Sequence, residues 1–183
     1  MTSNLTVIGL GYIGLPLASE ACRAGLAVLG FDSAPAVVEA LNAGRSHIDD
    51  VSDDDVSVMR DLGFVATGNP AGLADSDVLV ICVPTPLSSD GTPDLAAIID
   101  ASKLVAGSLR PGCLVVLEST TYPGTTDGTV RPLLEAGSGL VAGVDFSLAY
   151  SPERIDPGNP TYGLHNTPKV VGGLTPACTD RAV

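Results

Sequence analysis

Apolar residues along this chain fall in short unbroken runs, each followed by a longer stretch in which they recur at helical spacing. LTVIGL (5–10) is the first run and reads as a buried strand; 12–24 follows as a helix with Leu15, Ala18 and Cys22 on one face. LAVLGFD (26–32) is a second strand and 35–43 a second helix. The acidic stretch DDVSDDDVSVMRDLG connects onward through a short surface helix over 53–62, whose aspartates suit a solvated face and a helix N-terminus. FVAT (64–67) is a short third strand, and DVLVICV (77–83), β-branched and continuously apolar, is the clearest strand in the chain. A helix over 95–107 comes next, then the strand CLVVLES (113–119), a helix over 125–136 and the strand FSLAY (146–150). Proline- and glycine-rich sequence, SPERIDPGNPTYGLHNTP, and then KVVGG (169–173) close the pattern. Strands alternating with helices predict an α/β fold: a doubly wound parallel sheet of about six strands with helices on both faces.

Composition narrows the reading. Of 183 residues, 45% are hydrophobic and 16% charged, the balance of a folded globular chain. With no Trp, three Phe and four Tyr, the core rests on Val, Leu, Ile and Ala, which suits buried parallel strands. At this length one domain over 1–183 is expected. A net charge of −12 argues against nucleic acid or anionic membrane as partners, and means that any bound phosphate is held by backbone N–H groups. Cys22, Cys82, Cys113 and Cys178 lie far apart without metal-site or disulfide spacing, so no metal is expected. The N-terminus has no basic leader region, and Glu20 and Arg23 interrupt its apolar stretch. No signal peptide, no membrane span and a cytoplasmic location are the expectations.

Gly9, Gly11 and Gly14 stand between the first strand and the first helix, and Asp32 ends the second strand, 18 residues beyond Gly14. In a strand–turn–helix context this spacing is a dinucleotide-binding fingerprint of the Rossmann type. Gly9 permits the tight turn, Gly11 admits a pyrophosphate to the backbone, and Gly14 lets the helix pack on the sheet. Tyr12 and Ile13 complete the loop. Asp32 would accept from both ribose hydroxyls; its carboxylate repels a 2′-phosphate, and Ser33-Ala34-Pro35 offers no arginine to hold one. NAD is favoured over NADP, while the loop alone leaves FAD open.

Ligands of open α/β sheets sit beyond the carboxyl ends of the strands. VPTP (83–86), ESTTYPGTT (118–126) and SPERIDPGN (151–159) follow the fourth, fifth and sixth strands. Any one of them could be a proline-terminated turn and nothing more. Their recurrence at three strand ends favours a site.

GLGYIGLPLA, GFD, VPTP, ESTTYPGTT and SPERIDPGN, in this order and spacing, resemble the UDP-glucose/GDP-mannose dehydrogenase family of nucleotide-sugar dehydrogenases over the whole chain. PERIDPGN followed by PKVVGG looks most like the branch that oxidises UDP-N-acetylhexosamines, as UDP-N-acetylglucosamine 6-dehydrogenases do. The resemblance implies two successive NAD-dependent oxidations at the sugar C6, from alcohol through aldehyde to acid. A cysteine thiolate captures the aldehyde, a second hydride leaves to NAD, and water hydrolyses the thioester. It further implies Pro84, Thr85 and Thr120 as cofactor contacts, with Thr120 also helping to place the water and Glu153 as the acid/base that activates it. Relatives homodimerise through a central helix and bind the UDP-sugar mostly in a C-terminal nucleotide-sugar domain.

Two departures from the family pattern matter. The GFGGSCFPKD-like motif that carries the nucleophile is absent, and Cys178, in LTPACTDRAV, matches the start of the next helix and is not that nucleophile. Val37 stands where relatives often carry a Lys or Arg against the adenosine ribose, which should weaken cofactor binding without abolishing it. Since the central helix and the C-terminal domain would follow about where the chain stops, the expectation is an NAD-binding portion that binds NAD without full turnover. UDP-N-acetylglucosamine, UDP-N-acetylmannosamine and UDP-glucose all stay open as substrates. Two alternatives stand beside this: a dinucleotide-binding or redox-sensing module without catalysis, and a 6-phosphogluconate or 3-hydroxyacyl dehydrogenase relative, which would lack SPERIDPGN.

Overall fold

The computed structural model describes residues 4–89, 91–154 and 166–183. Six strands lie parallel: β1 (Asn4–Ile8), β2 (Ala27–Phe31), β3 (Val65–Thr67), β4 (Val78–Ile81), β5 (Leu114–Leu117) and β6 (Ser147–Tyr150). A two-residue strand β7 (Gly172–Gly173) adds antiparallel to β6, giving the order β3-β2-β1-β4-β5-β6-β7. The order runs outward from β1 on one side and from β4 on the other, so the topological switch point opens between these two strands.

The helices are α1 (Gly14–Arg23), α2 (Pro35–Asn42), α3 (Asp53–Asp61), α4 (Ala96–Ala106), α5 (Arg131–Ser138) and α6 (Pro176–Ala182). Strand side chains alternate between two apolar clusters because successive residues point to opposite faces. Val7, Val80, Val116 and Ala149 join Leu15, Ala18, Val56 and Met59 on the face of α1 and α3. Ile8, Ile81, Leu117 and Leu148 join Ile98, Val105, Val130 and Leu134 on the face of α4 and α5. Leu15, Leu79, Leu117 and Leu148 are fully buried, each worth about 2 kcal/mol of transfer free energy. Among the described residues no helix is long and apolar enough to cross a membrane.

The architecture agrees with the pattern of the sequence, and the differences have local causes. The first helix begins at Gly14 rather than at 12, because Gly11–Ile13 are spent on the turn. The helix expected over 125–136 opens with a wider π-type turn over Thr126–Val130 before α5. Pro132 accounts for it: proline lacks the N–H of the α-helical ladder, and its ring would clash with the carbonyl of Gly128 in a regular turn. β7 makes a seventh strand, so short that its two glycines carry no hydrophobic signal. The aspartates over 53–55 begin α3, where Ser52 and Asp55 form a reciprocal capping box.

Candidate cofactor-binding site

The glycine turn is the most constrained backbone at the switch point. Gly9 has φ +90°, and a Cβ there would lie 2.7 Å from the Cys82 carbonyl oxygen on the neighbouring strand. A Cβ on Gly14 would lie 1.8 Å from the Gly9 carbonyl oxygen, so only glycine lets α1 start against the turn. Gly11 is the opposite case, with no atom within 4 Å of the position its Cβ would take. Its backbone faces open space. Ile13, at the N-cap of α1, offers no side-chain acceptor, and the first turn holds no acidic residue. Leu15 N–H donates to the Gly11 carbonyl at 3.0 Å, and Pro16 has no N–H. The Gly14 N–H, the N–H groups of the turn before it and the positive end of the helix dipole are what is left for an anion.

Asp32 stands one strand away at the end of β2, half-buried. Its Oδ2 accepts from the Leu10 N–H at 2.9 Å and its Oδ1 from the Ala34 N–H at 2.9 Å, which fixes the carboxylate at the rim of the turn. Each oxygen keeps a lone pair for a hydroxyl donor. Gly11, Tyr12, Ile13 and Asp32 line a cleft of about 750 Å³ that continues past Cys82, Val83 and Pro84, with Ala97, Asp100 and Leu104 of α4 opposite. That volume is within the range of cofactor sites. Val37 and His47 also line the cleft. His47 belongs to the loop after α2, and no motif or spacing marks it in the sequence. A mononucleotide's sugar at Asp32 and its phosphates at Gly11 fit the donors and acceptors present.

The strand ends farther along the sheet are tied together. Thr85 donates from Oγ1 to the Thr120 carbonyl at 2.6 Å, joining the VPTP and ESTTYPGTT loops. Thr120 itself is exposed just past β5, and Glu153 is half-buried in the run that leaves β6. Glu153 Oε1 accepts from the Arg154 N–H at 2.6 Å. The remainder of the SPERIDPGN motif, 155–159, lies outside the described residues.

Glu118 escaped the sequence reading as a site residue although it opens ESTTYPGTT. It is 5% exposed, and Lys169 donates from Nζ to its Oε1. Burial pushes the Glu118 carboxyl above its ordinary range; the Lys169 ammonium opposes this, and the nearby charge of Glu153 adds to it. The Cys82 thiol on the adjacent strand is pushed well up, first by burial and then by Glu118. All four cysteines are buried free thiols. An acidic residue directly after the apolar run LVVL was the available signal for Glu118; Lys169 had none.

A doubly wound sheet with a glycine turn, an uncapped helix start and a carboxylate at the end of β2 defines a dinucleotide-binding domain. Residues 3–183 match the model of the UDP-glucose/GDP-mannose dehydrogenase family, NAD binding domain, and the chain belongs to that family. Its cofactor is NAD. The chain is 40% identical over 174 residues to UDP-N-acetyl-D-mannosamine dehydrogenase of Pyrococcus horikoshii, covering 94% of this chain and 41% of that protein. It is 37% identical over 173 residues to UDP-N-acetyl-D-glucosamine 6-dehydrogenase of Pseudomonas aeruginosa, covering 94% and 40%. Among solved structures, NDP-N-acetyl-D-galactosaminuronic acid dehydrogenase of Methanosarcina mazei superposes with a TM-score of 0.89 at 34% identity, over 99% of this chain and 41% of that one. The chain spans about two-fifths of the length of the relatives it matches.

Proposed function

We propose that this chain is the NAD-holding part of a UDP-sugar 6-dehydrogenase, one that oxidises a UDP-N-acetylhexosamine or UDP-glucose to the corresponding uronic acid. The observation that carries the reading is the open backbone at Gly11 beside the uncapped start of α1, with Asp32 fixed one strand away. The N–H groups of Gly11 to Gly14 take the diphosphate, and Asp32 accepts from the adenosine ribose hydroxyls. Pro84, Thr85 and Thr120 border the nicotinamide half, and Glu153 exchanges the proton of the water that releases the acid. NAD supplies the hydride acceptor; these residues bind, orient and move the proton.

Turnover is not expected from these 183 residues alone. The oxidation of an aldehyde through a thioester needs an accessible thiolate, and Cys22, Cys82, Cys113 and Cys178 are all buried. The UDP-sugar is the substrate of the larger enzyme, and homodimerisation belongs to that enzyme as well.

Calorimetry with NAD on the chain and on Asp32→Ala, together with NADH absorbance in the presence of UDP-sugars, tests both halves. Wild type is expected to bind NAD, Asp32→Ala to bind it about tenfold or more weakly, in line with loss of hydrogen bonds to a charged group, and neither to generate NADH. Equal affinity in the two proteins removes the ribose assignment. Sustained NADH formation by the wild-type chain removes the claim about turnover.

A further inference from the structure

β3 is the outer strand of the sheet, three residues long and paired with β2 alone. A strand this short makes few ladder bonds and needs support from elsewhere. Along a strand, the N–H and C=O of one residue point to one side and those of the next residue to the other. Thr67 faces β2, since its carbonyl accepts from the Asp32 N–H at 3.1 Å. Ala66 therefore faces outward. Both of its groups meet the side chain of Asn42, the last residue of α2. Asn42 Nδ2 donates to the Ala66 carbonyl at 2.8 Å, and the Ala66 N–H donates to Asn42 Oδ1 at 3.0 Å. One side-chain amide, with a donor and an acceptor side by side, thus stands in for the backbone of a further strand.

The bonds form a closed circuit around Asp32. Ala34, at the N-cap of α2, donates from its N–H to Asp32 Oδ1 at 2.9 Å. α2 then runs eight residues to Asn42, which grips Ala66, and the next residue, Thr67, holds the Asp32 N–H. On the other side, the Gly9 N–H donates to the Phe31 carbonyl at 2.8 Å. Two strands therefore fix the chain at Asp32, but they are not equally secure. β1 is an inner strand paired with both β2 and β4, whereas β3 is paired on one side. The hold from β3 is the one that depends on a side chain. Asn42 itself is not among the residues that line the cleft.

We infer that Asn42 is a positioning residue for Asp32: its amide clasps Ala66, sets β3 against β2, and so fixes the backbone from which the Asp32 carboxylate reaches the cofactor ribose. The inference rests on the ribose assignment proposed above and adds to it a residue outside the cleft.

Two measurements on the 183-residue chain test it. The first is amide hydrogen exchange without ligand, with the Val7 N–H of β1 as the reference that removes any change in global stability. Relative to Val7, the N–H groups of Ala66 and Asp32 are expected to exchange about tenfold faster in Asn42→Ala than in wild type. Faster exchange at Ala66 with Asp32 unchanged overturns the inference, because the clasp then supports its own partner and nothing beyond it. The second is calorimetry with NAD across a double-mutant cycle of Asn42→Ala and Asp32→Ala. Asn42→Ala is expected to weaken NAD about fivefold when Asp32 is present and by less than about twofold when it is not. An equal loss in both backgrounds overturns the inference, since a general loosening of the fold needs no Asp32. So does the absence of any loss. Asn42→Asp keeps the acceptor for the Ala66 N–H and loses the donor to its carbonyl, so a smaller loss is expected. Should Asn42→Ala not fold, the same cycle with Asn42→Asp decides. Asp32→Ala binding NAD as tightly as wild type defeats the ribose assignment instead, and exchange at the Asp32 N–H still decides whether Asn42 positions that residue.

Discussion

At the β1–β2 end of the cleft, the groups that meet a ligand come from one local unit, the turn from Gly9 to Gly14 and the carboxylate of Asp32. At the β4–β5–β6 end stands a polar cluster, Cys82, Glu118, Ser151 and Lys169, from four separate stretches joined only by folding, of which Cys82 lines the cleft. The first end relies on main-chain N–H groups, a helix dipole and one carboxylate already anchored by two backbone donors. The second contains an ion pair between the buried Glu118 and the partly exposed Lys169, and two polar atoms, Glu118 Oε2 and Ser151 Oγ, buried without partners. Local spacing can specify the first. The second depends on strand register, and its charges are costly unless both members are present.

The sharpest way to break the first end is steric. Gly14→Ala puts a Cβ 1.8 Å from the Gly9 carbonyl oxygen, backbone against backbone, where no rotamer can relieve it. The expected loss is about 3 kcal/mol, the upper part of the range for overpacking, together with loss of measurable NAD binding. Denaturant melts and calorimetry read the two effects. Wild-type stability in this variant would mean that the turn and the start of α1 can part without cost.

The second end breaks electrostatically. Lys169→Met leaves the Glu118 carboxylate buried without its cation, expected to cost about 3 kcal/mol at neutral pH. The sign of the pH dependence follows from the shift. Burial already raises the folded-state pKa of Glu118 above its ordinary 4.5, and loss of Lys169 raises it further. Between the unfolded and folded values the native state binds the extra proton, so stability falls as pH rises through that window. Below the unfolded value the penalty is gone. Melting curves of the variant should therefore converge on wild type toward pH 4, and Glu118→Gln/Lys169→Met should recover most of the loss at pH 7. A deficit independent of pH would mean that Lys169 acts by packing alone.

These contrasts also explain what could be read in advance. The parallel strands were legible because runs such as LTVIGL and DVLVICV are apolar on both faces, and the glycine turn because its spacing and Asp32 lie within a single βαβ unit. The strands that escaped or shrank are those set by neighbours: β7 consists of two glycines held by β6, and β3 has three residues. The π-type turn was foreshadowed by Pro132, which a reading of periodicity alone passes over. Glu118 and Lys169 meet across 51 residues of chain, a contact that no local pattern encodes. His47 reaches the cleft only through the path of the loop after α2.

The smallest expected effect isolates stability from binding. Ser52 caps α3, accepting from the Asp55 N–H at 3.1 Å and donating to Asp55 Oδ2 at 2.6 Å, and α3 packs Val56 and Met59 into the core under α1. Ser52→Ala should cost about 1 kcal/mol. None of these residues lines the cleft, so NAD affinity should stay at the wild-type value. The carboxyl of Asp55 is held below its ordinary range, first by the Ser52 hydroxyl and backbone N–H, with Arg23 adding to it. A depressed folded value means stabilisation that is present above the unfolded pKa and lost as pH falls through the folded one. Removing the hydroxyl therefore also shrinks the loss of stability on acidification, and the gap between variant and wild type should close at low pH. Asp55 keeps its bond from the Ser52 N–H, so the closing is partial in size but fixed in direction. A gap that widens in acid would show that the cap acts through some group other than this carboxylate.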